Sequence, residues 1–130
     1  MANPADIYLD SDGNLVFINL GTEKVEKVNA SGTLLIKFDA GDDGCGANPQ
    51  GVAADTSGNI YVSDTTNGRI MKYDSGGLLV NASFITGLTT PRGLYVYNDY
   101  LYVAYDSDVA KYNTTTGAHR ARFRHHRPGR

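Results

Sequence analysis

Between Asn48 and Ile85, short apolar runs alternate with turn residues at near-even intervals. Val52-Ala53-Ala54 is followed by Asp55-Thr56-Ser57-Gly58-Asn59, Ile60-Tyr61-Val62-Ser63 by Asp64 to Gly68, Ile70-Met71-Lys72-Tyr73 by Asp74 to Gly77, and the stretch closes on Leu78 to Phe84. Runs this short, bounded by Gly, Asp, Asn and Ser, predict four antiparallel strands joined by tight turns. Ser57-Gly58 supplies the positive-φ residue that a tight hairpin requires. Ile60-Tyr61-Val62 is β-branched or aromatic throughout and predicts a strand buried on both faces. The next run alternates, with Ile70 and Lys72 on one side and Met71 and Tyr73 on the other.

The flanking segments repeat this pattern. Asn3-Pro4, Asp10, Gly13-Asn14-Leu15 and Lys24-Val25-Glu26-Lys27 each lie 45 residues before Asn48-Pro49, Asp55, Gly58-Asn59-Ile60 and Arg69-Ile70-Met71-Lys72. So many turn and charge matches at one spacing imply an internal duplication. A third copy opens at Pro91-Arg92-Gly93-Leu94, loses a residue at Tyr97-Asn98-Asp99, and returns with Leu101-Tyr102-Val103 and Val109-Ala110-Lys111-Tyr112-Asn113. The copies span about residues 3–46, 47–89 and 90–117 of a body covering 1–117. Proline opening the first strand needs no ladder donor, and Gly51 and Gly93 after it predict close approach of a neighbouring backbone. No fourth strand is expected in copy three, because residues 118–130, from Ala118 to Arg130, read as a basic, solvated tail.

Composition narrows the class. With 130 residues the chain supports one modest core, and its Gly, Tyr, Thr and Asn content favours strands and turns over helices. Five arginines fall within Arg120 to Arg130, so the formal charge of −2 leaves the body near −7 without them. An acidic body disfavours nucleic-acid binding outside the tail. The single cysteine, Cys45, forms no intrachain disulfide and reads as an incidental exposed thiol. Met1 to Asp6 shows no signal-peptide pattern, and no apolar run approaches the roughly 20 residues of a membrane span, so a soluble chain is expected.

The run Pro49-Gln50-Gly51-Val52-Ala53-Ala54-Asp55, with Gly58-Asn59-Ile60-Tyr61-Val62-Ser63-Asp64, Asn67-Gly68-Arg69-Ile70 and Tyr73-Asp74, resembles the NHL repeat, a blade unit of β-propellers. The likeness is fullest in copy two. Copy one has Asn19 and copy three Tyr105 in the column of Asp64. The resemblance implies an all-β fold of three four-stranded antiparallel blades, with the first strand of each lining a central channel and the fourth on the outer rim. Three blades do not close a ring, so the expected partner is a second copy, a homodimer giving six blades about a two-fold axis.

Candidate chemistry is sparse. Propeller lyases related to this family place His and acidic residues around the channel, whereas His119, His125 and His126 all lie in the tail. Asp10 and Asp55 are the best-aligned carboxylates, and Asp before a Gly turn ordinarily caps that turn. Arg69 and Asp64 are expected to pair within one blade. Gln50 and Arg92, directly before the channel strand, together with Asp64, Asn67, Tyr97 and Tyr105, form the candidate binding face. No cofactor or metal is expected. The reading is a non-enzymatic binding or scaffolding module for a protein or carbohydrate partner. The alternatives are a propeller lyase or hydrolase acting at the channel mouth, and a propeller fragment or engineered assembly with no independent function.

Overall fold

The computed structural model describes residues 4–19, 22–46 and 49–124. Its strands form three antiparallel sheets, each a meander in chain order. Blade one holds β1 (Pro4–Leu9), β2 (Leu15–Asn19), β3 (Lys24–Val28) and β4 (Leu34–Asp39); blade two holds β5 (Val52–Ala54), β6 (Ile60–Asp64), β7 (Arg69–Tyr73) and β8 (Leu79–Ile85). Blade three holds β9 (Pro91–Tyr97), β10 (Tyr100–Tyr105), β11 (Asp108–Asn113) and β12 (His119–Phe123). Blades one and two fall within the first two sequence copies, whereas blade three runs past the end of the third, through Phe123. Among the described residues no helix is long and apolar enough to cross a membrane.

One turn device recurs. Asp10 Oδ1 accepts hydrogen bonds from the amides of Asp12 and Asn14 at 2.9 Å each, and Asp55 does the same for Ser57 and Asn59 at 2.9 and 3.0 Å. Asn29 and Asp74 repeat the arrangement at the turns before β4 and β8. The glycine three residues on takes positive φ each time, between 82° and 85°. A short carboxylate or amide that folds back on its own backbone thus sets the turn before any strand packs. Blade three replaces the first two turns with two-residue hairpins, Asn98-Asp99 and Asp106-Ser107, in which Asn98 (φ 56°) and Asp106 (φ 51°) take the left-handed conformation.

Blades stack face to face. Val16, Ile18 and Val25 of blade one pack with Val52, Ile60, Val62, Met71 and Tyr73 of blade two, and the Phe38 and Tyr73 ring centroids lie 4.1 Å apart. On its other side, blade two packs Ala53, Tyr61 and Ile70 against Leu94, Leu101, Val103, Ala110 and Tyr112 of blade three. The alternation of β7 is as the sequence predicts: Ile70 faces blade three, and Met71 and Tyr73 face blade one. All of β6 is buried, whereas β8 and β12 are the most exposed strands of their sheets and β4 is half exposed.

The first strands converge on the axis. The Val52 amide donates to Asp6 Oδ2 at 3.0 Å, and the Tyr8 hydroxyl donates to the Val96 carbonyl at 3.0 Å, linking blade one directly to blade three. A Cβ on Gly51 would lie 1.8 Å from the Arg92 carbonyl oxygen, which is the close approach expected of that residue. Gly93, in the same column, is not so confined, since its Cβ would meet the Ala104 side chain at 3.6 Å.

Two expectations are corrected. Residues 119–123 do not belong to a solvated tail: they form β12, paired with β11, where the His119 ring sits 5.4 Å from that of Tyr112 and Arg122 ion-pairs with Asp108. The sparse apolar content of this segment suits an outer-rim strand, whose ladder bonds and edge contacts suffice; residues 125–130 lie outside the described residues. Cys45 is buried, 8% exposed, within the blade one–blade two core. It follows a 3-10 turn, Ala40–Asp43, that the sequence pattern does not announce; Asp39 caps its start and Gly44, at φ 91°, ends it.

Candidate functional site

At the strand-start end, Gln50 lies just before β5, whereas Arg92 is the second residue of β9 rather than preceding it, and the chain next to Gln50 sits against the Arg92 carbonyl at Gly51. Gln50 is half-buried and Arg92 exposed. Their backbones are fixed from behind. The Ser63 hydroxyl donates to the Arg92 carbonyl at 2.8 Å, the Thr65 hydroxyl to the Pro91 carbonyl at 2.6 Å, and the Gln50 amide to the Ser63 carbonyl at 3.4 Å. Neither Ser63 nor Thr65 stands out in the sequence, because hydroxyl residues serve as frequently in solvated turns. Tyr105 belongs to this end too, paired with Pro91 across the sheet. Its ring lies 5.6 Å from the Arg122 guanidinium.

Asp64 is not part of that face. It is fully buried, and its carboxylate accepts hydrogen bonds from the Gly46 amide (3.0 Å), Asn67 Nδ2 (2.9 Å) and Arg69 Nε (2.8 Å). Burial by itself would raise its pKa, but the Asn67, Arg69 and backbone hydrogen bonds outweigh that and hold it below the usual carboxylate range. Asn67 and Arg69 then reach the Gly44 carbonyl, at 3.3 and 2.9 Å. The group pins the linker from blade one onto blade two. The expected Asp64–Arg69 pair is present, and its work is structural; what the sequence did not reveal is that its further partners come from the Gly-rich segment just upstream.

Tyr97 is also displaced. β9 runs from Pro91 at the Gln50–Arg92 end to Tyr97 at the other, about 20 Å away at roughly 3.3 Å per residue. Tyr97, 62% exposed, therefore belongs with the opposite end. There Tyr8, Asp10, Asp55, Val96 and Asn98 line an open hollow of about 220 Å³. Both carboxylates in it are committed. Asp10 ion-pairs with Lys27 at 3.2 Å beyond its two turn amides. Burial would raise Asp10, but the turn amides and Lys27 hold it below the ordinary value. Asp55 Oδ2 accepts from Asn59 Nδ2 at 3.0 Å and from the Tyr61 hydroxyl at 2.8 Å, and burial together with that carboxylate pushes the Tyr61 phenol upward. Burial, helped by the Asp64 charge, pushes the Cys45 thiol up to about 12, so it stays protonated at neutral pH. Among the described residues no group of three or more His, Cys, Asp or Glu side chains converges as a metal site.

No curated protein sequence matches the chain. Solved structures do, at the level of fold. A streptogramin B lyase superposes with a TM-score of 0.73 at 21% identity, over 98% of this chain and 42% of that one. A virginiamycin B lyase from Staphylococcus aureus superposes with a TM-score of 0.71 at 14% identity, over 95% and 41%. The WD40 repeats of RRP9 superpose with a TM-score of 0.79 at 13% identity, over 98% and 40%. The chain thus spans well under half the length of these structures, and identities this low establish architecture alone. Its three sheets are β-propeller blades, and the middle one, across residues 47–73, matches the NHL repeat.

Proposed function

We propose that this chain is a non-enzymatic binding module, closed into a six-bladed ring by a second copy, that presents its Gln50–Arg92 end to a protein or carbohydrate partner. The observation that carries this reading is the fixed setting of Arg92: an exposed guanidinium on a strand whose backbone is held by Ser63 and Thr65 from the neighbouring blade. The backbone that carries this side chain does not have to be ordered when a ligand binds, and Arg and Tyr are the residues that most often dominate binding. Gln50 and Tyr105 complete the rim, supplying one amide and one aromatic surface, while Asn67 is committed to Asp64 and the Gly44 carbonyl. Asp10 and Asp55, the pair on which a lyase reading would draw, are committed to turn amides, Lys27 and Tyr61, which favours binding over catalysis.

Panning the purified chain against a random-peptide display library and a glycan array tests this. Ligands whose affinity falls tenfold or more in Gln50→Ala/Arg92→Ala, with the melting temperature unchanged, support the assignment. Ligands indifferent to that double substitution, or none from either library, overturn it.

A further inference from the structure

Every blade in this chain uses its two faces differently. The face bearing Ile60, Val62, Met71 and Tyr73 in blade two, and Leu101, Val103, Ala110 and Tyr112 in blade three, packs back onto the preceding blade. The opposite face, bearing Val16, Ile18 and Val25 in blade one and Tyr61 and Ile70 in blade two, receives the following blade. Two faces are left over, one of each type. Blade one exposes a backward face with Ile7 (59% exposed) and Leu9 (65% exposed), aligned by the β1–β2 register with Phe17 and Leu15. Blade three exposes a forward face with Tyr95 (54% exposed) and Val109, hollowed between Gly93, Tyr102 and Ala104. Paired apolar surfaces of this kind mark an interface.

The interface between blades two and three shows how such a joint is anchored. Lys72 Nζ lies 5.6 Å from the Tyr61 ring and 4.8 Å from the Phe84 ring, and donates to the Thr114 carbonyl of blade three at 2.8 Å; the Tyr61 hydroxyl lies 3.0 Å from the same oxygen. The repeat puts Lys111 in the column of Lys72 and Tyr102 in that of Tyr61. Lys111 Nζ likewise lies 5.9 Å from the ring of Tyr102, and its nearer ring is Tyr100, at 4.0 Å, in the column of Asn59. The Thr114 column is occupied in blade one by Ala30, next to Asn29, and Asn29 and Asn113 each accept from the amide two residues on, although the turn after Asn113 is one residue longer.

We propose that the forward face of blade three docks the backward face of blade one of a second copy, with Lys111 and Tyr102 hydrogen-bonding the carbonyl of Ala30 of the partner subunit. One two-fold rotation satisfies both leftover faces of both copies at once, and the six blades that result fall within the four to eight of known rings. The inference rests on the two-copy ring proposed above and assigns its seams.

Sedimentation-velocity and light-scattering measurements on the full chain test it. At tens of micromolar the chain should run at about 28 kDa, twice 14.0 kDa. Ala104→Arg and Ile7→Arg, at exposed positions on the two faces, should each give a monomer with unchanged circular dichroism. Mixed in equal amounts they should regain a dimer, because the mixed pair keeps one unaltered seam. Lys111→Ala should weaken the dimer at least tenfold. A wild-type monomer that melts cooperatively would overturn the two-copy ring itself. A dimer indifferent to Ile7→Arg or Ala104→Arg, or two variants whose mixture stays monomeric, would overturn the seam assignment and leave the ring standing. Ligand binding at Arg92 is read separately from either result.

Discussion

Blade two and blade three share an ancestor and a topology, yet they are built to different tolerances. Blade two is covered on both faces: all of β5 and β6, and β7 from Ile70 to Tyr73, are buried, and Asp64 and Lys72 are taken into the interior on hydrogen bonds. Blade three is covered on one face only, its first turn is a residue shorter, and it has Tyr105 where blade two has Asp64. The lesson is that the repeat motif is kept most fully where two neighbours constrain it. A column residue with contacts from both sides has few acceptable substitutes; one facing outward has many.

The sharpest way to break this contrast is through one glycine column. Gly51→Val should abolish cooperative folding, since its side chain meets the Arg92 carbonyl at 1.8 Å from the first carbon outward. Gly93→Ala, whose Cβ finds 3.6 Å of room, should shift the thermal midpoint only slightly. Equal effects on melting by circular dichroism would refute the strand placement. Gly68→Ala belongs with Gly51, because it combines φ of 66° with a contact of 2.4 Å to the Leu88 carbonyl.

Next in size is Asp64→Ala. It leaves Arg69, which is part-exposed and keeps the Gly44 carbonyl, without its carboxylate, and the Gly46 amide without its acceptor. The cost should therefore fall at or below the low end of the roughly 3–5 kcal/mol of a fully buried pair. Urea denaturation should show that loss, whereas Tyr105→Ala in the same column of blade three should cost less than half as much.

Smaller effects should appear on the pH axis. Asp64 and Asp10 have folded pKa values below the ordinary carboxylate value near 3.9, so their contribution is full above that value and is lost as pH falls through their folded values. Cys45 has the opposite sign. Its folded value is about 12, against about 8.5 for an unfolded thiol. Its contribution is therefore full below about pH 8.5 and is lost as pH rises towards 12. Cys45→Ala should flatten the alkaline limb of a stability profile, and a thiol reagent should label Cys45 only as the chain unfolds.

The smallest expected change is from Tyr97→Ser. At an exposed site it should alter stability by no more than about 0.5 kcal/mol in urea titration.

The sequence by itself determined the local pieces: where strands run, where they turn, and that the unit repeats. These follow from side chains acting on their own backbone, as Asp10, Asn29, Asp55 and Asp74 do, and from an alternation that Ile70 to Tyr73 displays without help. Only the tertiary structure decided which end of a strand a residue reaches and what covers it. Tyr97 and Arg92 are close in sequence and at opposite ends of β9, because an extended strand carries the chain straight across the sheet. Asp64, Asn67 and Arg69 look like a surface loop until Gly44 and Gly46 close over them. β12 is a strand because β11 offers it a ladder, and a hydrogen-bonding edge leaves no trace in the residues that dock on it.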